Sequence, residues 1–218
     1  MLSMQPMGDQ SALAYFEDER SALRWAAAVR RLGAAWVVDV VQAYASVAVY
    51  FDPDRTSYAR VAGTLLGLGG EGSQPESEGR LHLIPCCYER GPDLGRVARH
   101  TGRTPEEVTE LHAGAQYTVY AIGFSPGFPY LGYLPEALCG VPRLPAPRLR
   151  VEPGSVGLTG RQTGIYPEAR PGGWNLVGRT PLCLVDVAGG YFPLRTGDRV
   201  RFVRIDEAEF ERRLGERL

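Results

Sequence analysis

Four arginines, Arg148, Arg150, Arg161 and Arg179, stand in or beside loops built from glycine, proline and aromatic residues. Of the three histidines, only His112 lies within the region of these motifs, just before the first of them. Guanidinium groups around such loops can surround a transferring phosphoryl group with positive charge. Arg179 is the strongest single candidate, because Gly178 before it permits close backbone approach and Thr180 after it adds a hydroxyl. A competing role is a guanidinium that ties one loop to another. The imidazole of His112 can move a proton near neutral pH, and the competing roles are a helix cap or a satisfied core group. Phe128, Tyr130 and Trp174 can line a small-molecule pocket or anchor a partner; packing at the base of a loop competes with both uses and is the preferred reading for Phe124. Gln162 and Tyr166, polar within a Gly-flanked turn, are candidates for contact with ligand or partner.

The loops are Ile122-Gly-Phe-Ser-Pro-Gly-Phe-Pro-Tyr-Leu-Gly132, Gly154-Ser-Val-Gly157, Gln162-Thr-Gly-Ile-Tyr-Pro167 and Pro171-Gly-Gly-Trp-Asn-Leu-Val-Gly-Arg-Thr-Pro181. Glycine allows tight turns and close approach, proline fixes φ, and the rings supply rigid contact area. Four such stretches together read as a built surface rather than as ordinary connections, which run ~2 to 6 residues.

Composition narrows the chemistry. All 24 basic residues are arginine, which removes Schiff-base catalysis, a lysine base and the Gly-Lys-Ser/Thr phosphate loop. A net charge of -1 gives no long-range attraction to nucleic acid or anionic membrane. Cys86 and Cys87 are adjacent while Cys139 and Cys183 are distant, so no Cys-x-x-Cys spacing exists and reduced, mostly buried thiols are expected. No Asp, Glu and His cluster has metal spacing, so no metal ligand is assigned. No Ser or Cys nucleophile has a neighbouring base. The chain therefore reads as half of a shared active site, inactive alone. It has no apolar run of the ~20 residues that span a bilayer, and its first ten residues lack the pattern of a secretion signal. A cytoplasmic location is expected.

The elements that position these residues are short. Ala12 to Phe16 suits a strand, and Ala22, Trp25, Val29 and Leu32 recur at helical spacing before Gly33. Trp36 to Val41 and Ser46 to Phe51 predict a hairpin, Arg55 to Leu66 a second helix, Gly69 to Gly79 a polar loop, and Leu81 to Pro85 a fourth strand. The order βαββαβ is the split pattern of a ferredoxin-like α+β domain. Between Gly91 and Ala113 two short helices are predicted, the second opened by the capping box Thr104-Pro-Glu-Glu107. That outline matches a helix-turn-helix, but Glu106, Glu107 and Glu110 at the start of the second helix oppose contact with phosphates. Strands are expected at Tyr117 to Ile122, Val156 to Thr159, Asn175 to Val177, Leu182 to Val187 and Arg199 to Val203, forming a closed or nearly closed barrel, with a helix over Glu207 to Leu214.

His112 through Phe202, with Gly-Phe-x-Pro-Gly-Phe-Pro-Tyr-Leu-Gly, Pro-Arg at 142 and 143, Gly-Ser-Val, Gln-Thr-Gly-Ile-Tyr-Pro, Pro-Gly-Gly-Trp, Gly-Arg-Thr-Pro and Gly197-Asp198-x-Val-x-Phe, closely resembles the KipI family, also called allophanate hydrolase subunit 1 or the B subunit of the bacterial 5-oxoprolinase. The resemblance covers the whole chain in domain order. Tyr133 departs from it where many relatives have a second Gly, and Thr196 replaces a frequent Pro. It implies an α+β ferredoxin-like domain (1–88), a helical connector (89–115) and a mainly-β cyclophilin-like barrel (116–218). It also implies work with two other components, one of KipA type and one of LamB/YcsF type, with ATP and Mg held at least partly by the partner, to open the lactam 5-oxoproline to glutamate. An alternative role in this heterogeneous family is inhibition of a sensor histidine kinase; another is a part in urea or allophanate metabolism.

Overall fold

The computed structural model describes residues 3–68 and 79–218. All but the last residue of the Gly69 to Gly79 loop lies outside them. The chain divides into two compact units, Met1–Glu78 and Gly79–Leu218.

The first unit contains β1 (Ser3–Pro6), β2 (Ser11–Tyr15), α1 (Glu19–Arg31), β3 (Val37–Ala43), β4 (Ser46–Phe51) and α2 (Tyr58–Leu66). Its antiparallel sheet runs β1-β2-β4-β3. Asp18 caps α1 by accepting from the Ser21 amide at 2.7 Å, and Gly33 follows the helix at φ +57. Ala22, Trp25, Ala26 and Val29 fall on one face and are buried with Val47, Val49 and Phe51 from the sheet. Burial of the larger of these side chains stabilises by about 1.5–3 kcal/mol each. β1 has no counterpart in the sequence reading: it is four residues long, mostly exposed, and ends in proline at a sheet edge, so it carries no apolar alternation.

The second unit contains β5 (Leu81–Cys86), α3 (Leu94–Thr101), α4 (Pro105–Gly114), β6 (Gln116–Ile122), β7 (Pro129–Gly132), β8 (Arg148–Val151), β9 (Ser155–Thr159), β10 (Gln162–Ile165), β11 (Arg170–Gly172), β12 (Asn175–Arg179), β13 (Arg199–Arg204) and α5 (Glu207–Arg212). β5, read from sequence as the fourth strand of the first domain, pairs in parallel with β13. From β13 the path continues antiparallel through β6, β7, β10, β9 and β12. It returns to its start where Cys87 and Arg179 exchange backbone hydrogen bonds of 2.8 and 2.9 Å. The circuit is closed. Gly178 permits this, since a Cβ there would stand 2.5 Å from Cys86 Sγ and 3.1 Å from the Cys87 carbonyl oxygen. β8 and β11 form a separate ribbon.

Leu182 to Val187, expected as a strand, makes only isolated bridges, Cys183 to Arg217 and Asp186 to Tyr191. The Asp198 carboxylate accepts from the amides of Arg80 and Arg195 at 3.0 and 2.9 Å and lies 3.1 Å from His82 Nε2, tying the turn before β13 to β5. Thr104 and Glu107 complete the capping box of α4. Among the described residues no helix is long and apolar enough to cross a membrane.

Candidate functional site

The strands β7, β9, β10 and β12 present two faces. Leu131, Val156, Leu158, Ile165 and Val177 point into the main core of the second unit. By the two-residue period of a strand, Tyr130, Gly157, Gly164 and Leu176 point the other way. On that opposite face Phe128, Tyr130, Tyr166 and Trp174 gather with Val151 and Leu176. Four aromatic residues expected at a site from sequence are thus brought together. Phe128 is central, with ring centroids 4.9 Å from Tyr130, 5.1 Å from Tyr166 and 5.6 Å from Trp174, all edge-on. Pairs of this geometry add about 0.5–1.5 kcal/mol each beyond burial.

Glycines seat these rings. A Cβ at Gly164 would lie 2.9 Å from the Pro129 carbonyl oxygen and 3.1 Å from both Phe128 Cζ and Trp174 Cζ3. One at Gly172 would lie 2.8 and 2.9 Å from Tyr166 ring carbons. The strand backbone itself is the floor of the aromatic cluster.

Two exposures reverse the sequence expectation. Phe124, read as core, is 60% exposed, while Tyr166, read as a contact residue, is 2% exposed. Phe124 holds φ at +66, uncommon outside glycine, and its ring lies edge-on to Phe128 and Tyr166 at 5.4 and 6.2 Å. Beside it, the buried Ser125 hydroxyl has no hydrogen-bond partner. Tyr130 is half-buried, and Trp174 and Phe128 are buried. Gln162 is half-buried on β10, two residues before Gly164 and on the same face. At the turn before β10, Arg161 stacks over the Tyr133 ring at 4.2 Å, and Tyr133 packs on Tyr120 at 5.4 Å.

Three of the four arginines named for phosphate are already held; Arg161 is exposed, and among the described residues its guanidinium has only its stacking on Tyr133. Arg148 Nη2 donates to both oxygens of Asp93 at 2.7 and 2.8 Å. Asp93, buried, also accepts from the Leu176 amide at 2.7 Å, so one carboxylate fastens Arg148 to β12. Asp93 stands just before α3, and its partners, 55 and 83 residues along the chain, leave no local signal in the sequence. Arg150 pairs with Glu152 at 2.7 Å on the surface. Arg179 Nε donates to the Pro153 carbonyl at 2.9 Å, which is the loop-tying role.

His112 is not where a substrate could use it. It is fully buried in the main core, stacked on Phe202 at 4.7 Å. The Thr163 hydroxyl donates to the Gly157 carbonyl at 3.0 Å, so at 2.9 Å it accepts from His112 Nε2–H. Nδ1 is left to accept the Tyr88 hydroxyl at 2.7 Å. Burial pulls the imidazole down to about pKa 3, so it stays neutral. Both ring nitrogens are satisfied by protein. The expectation of proton transfer from this residue gives way to a buried polar link that joins Tyr88, just after β5, to α4 and β10.

Among the described residues no three His, Cys, Asp or Glu side chains gather to hold a metal ion. The model of the family described as carboxyltransferase domain, subdomain C and D, matches residues 2–190. The chain is 53% identical over 131 residues to the B subunit of the 5-oxoprolinase from Escherichia coli O157:H7, covering 59% of this chain and 60% of that relative's length. It is 41% identical over 182 residues to the B subunit of the 5-oxoprolinase from Haemophilus influenzae, covering 82% of this chain and 84% of the relative. Among solved structures it is similar to TTHA0988, with a TM-score of 0.79 and 38% identity over 90% of this chain and 40% of that one.

Proposed function

The chain belongs to the family of carboxyltransferase domains, subdomains C and D, and from that membership we propose that it serves as the B subunit of an ATP-dependent 5-oxoprolinase. The observation that carries the reading is the Haemophilus relative of that name, aligned over most of both chains. In this reading the first unit is ferredoxin-like and the second a cyclophilin-like barrel. The partners are a KipA-type protein and a LamB/YcsF-type protein.

A five-membered lactam is a stable amide. Phosphorylating its carbonyl oxygen with ATP, releasing ADP, makes the carbon a better electrophile; water adds to it, the ring C–N bond breaks with the nitrogen taking a proton, and a second water hydrolyses the resulting acyl phosphate to glutamate and phosphate. Such a transfer needs dense positive charge, usually with a divalent metal. Of the candidate arginines, Arg148 is neutralised by Asp93 and Arg150 is paired with Glu152, while Arg179, tied to a backbone carbonyl, and Arg161, stacked on Tyr133, keep their charge. In this reading the nucleotide and its Mg are held at least partly by the partner. This chain contributes the aromatic face, with Phe124 and Tyr130 as its accessible members.

Mixing the purified chain with a KipA-type protein should give a stable complex, and oxoproline-dependent ADP release should require all three components. Inhibition of a histidine kinase by the isolated chain, without such release from the full mixture, would replace this reading.

A further inference from the structure

The loop 140–147, Gly-Val-Pro-Arg-Leu-Pro-Ala-Pro, carries one charged side chain, Arg143. Three prolines stiffen it, and the neighbouring strands hold it on both sides of that residue. The Gly140 amide donates to the Gly160 carbonyl at 2.7 Å, and the Gly160 amide returns to Val141 at 2.8 Å. Asn175 Nδ2, on a fully buried residue, donates to the Pro142 carbonyl at 2.9 Å, and the Leu144 amide donates to Gly173 at 2.8 Å. Those last two bonds straddle Trp174, so the backbone of Arg143 lies opposite that of Trp174, whose ring packs on Tyr130 at 5.9 Å.

Arg143 itself is exposed, and among the described residues no carboxylate is within ion-pair distance of it. Its neighbour Arg148 is neutralised by Asp93. Burial raises the phenols of Tyr130 and Tyr166, and the charge of Arg143 acts on both in the opposite sense. One uncompensated positive charge on a rigid loop, next to a half-buried aromatic wall, suits a small ring bearing one negative charge. A triphosphate would call for several such cations.

We infer that Arg143 is the carboxylate-recognition residue of this chain, its guanidinium taking the carboxylate of the lactam substrate with the Tyr130 ring as the adjoining wall. This rests on the oxoprolinase reading. Arg143 acts in binding and orientation, and no proton or phosphoryl group passes through it.

The test uses the assembled complex of all three components. Arg143→Gln should raise the KM for 5-oxoproline roughly 10- to 100-fold, the range for losing a charge-assisted hydrogen bond, with kcat little changed. Arg143→Lys should recover part of the loss, since it keeps the charge without the planar fork. Inhibition by 2-pyrrolidinone, the same ring without a carboxylate, should be equal in wild type and Arg143→Gln. An unchanged oxoproline KM in Arg143→Gln, or equal weakening of both ligands, would overturn the inference and leave the oxoprolinase reading standing. Absence of any oxoproline-dependent ADP release from the wild-type complex would overturn both.

Discussion

Replacing Asp93 tests the fastening that joins α3, β8 and β12 beneath the aromatic face. Its carboxylate does two jobs: it neutralises Arg148 through bonds of 2.7 and 2.8 Å, and it accepts the Leu176 amide at 2.7 Å. Asp93→Ala removes both. The Leu176 amide is then buried without an acceptor, which costs about 1–3 kcal/mol. Breaking a fully buried ion pair costs about 3–5 kcal/mol. The Arg148 side chain is 28% exposed, however, so its guanidinium keeps some water and can turn outward. That part is better set at about 0.5–1.5 kcal/mol. Together these come to roughly 1.5–4.5 kcal/mol. Asp93→Asn keeps an acceptor for Leu176 and loses only the charge, so it should cost about 0.5–1.5 kcal/mol. Urea titration of the two variants measures the difference, provided the slope of the transition is unchanged. Hydrogen exchange at the Leu176 amide supplies the local readout, faster in the alanine variant and near wild type in the asparagine variant. Equal losses in the two variants, with Leu176 protected in both, would refute the acceptor role assigned to Asp93.

Other outcomes follow from the same packing. His112 has a folded pKa of about 3 because it is buried, below its ordinary value near 6.5. Its contribution to stability is therefore complete above about pH 6.5 and is lost as pH falls toward 3, at up to ~1.4 kcal/mol per pH unit. Its ring resonances should stay fixed between about pH 8 and pH 5 while the urea midpoint drops; a titration of those resonances near 6.5 would contradict the buried neutral state. Gly172→Ala forces a methyl against the Tyr166 ring and should destabilise by about 1–3 kcal/mol in urea titration. Phe124→Ser, at an exposed ring, should change stability by less than about 1 kcal/mol yet weaken capture of the KipA-type partner at least tenfold in a pull-down titration. Unchanged capture would remove Phe124 from the partner surface.

Elements whose signals are local were legible in sequence. The positions Ala22, Trp25 and Val29 followed by Gly33 define α1, and Thr104 to Glu107 define the start of α4. The alternation of Val47, Val49 and Phe51 defines β4. β7, β10 and β11 read as loops because Pro129-Tyr-Leu-Gly132, Gln162-Thr-Gly-Ile165 and Arg170-Pro-Gly172 carry turn residues. Their strand state comes from pairing with neighbours and from rings that need a flat floor. The membership of the aromatic cluster was legible; its exposures were not. Whether Phe124 or Tyr166 is covered depends on Gly172 and on the φ of Phe124, neither of which has a local signature. The partners of Arg148 and His112 lie 55 and 51 residues away, so no spacing rule could tell a free cation or a working imidazole from a committed one.

A strand buried on both faces ordinarily carries apolar side chains on both. β10 departs from this, with Thr163 and Ile165 on the core side and Gly164 opposite, so Phe128 and Trp174 rest on main chain. Backbone in a paired strand has no rotamers, and a ring seated on it is fixed more firmly than one seated on flexible side chains. The face therefore separates into two sets of residues by what a substitution would disturb. Phe128, Tyr166 and Trp174 are buried and hold the shape, so losing one opens a cavity and costs about 3–5 kcal/mol for a large aromatic. Phe124, Tyr130 and Arg143 retain access to solvent and carry the contacts. Alanine at the second set should impair complex formation or substrate affinity while melting stays close to wild type. If every substitution on this face lowered stability and function in parallel, the cluster would be a second core and the recognition surface would have to lie elsewhere on the molecule.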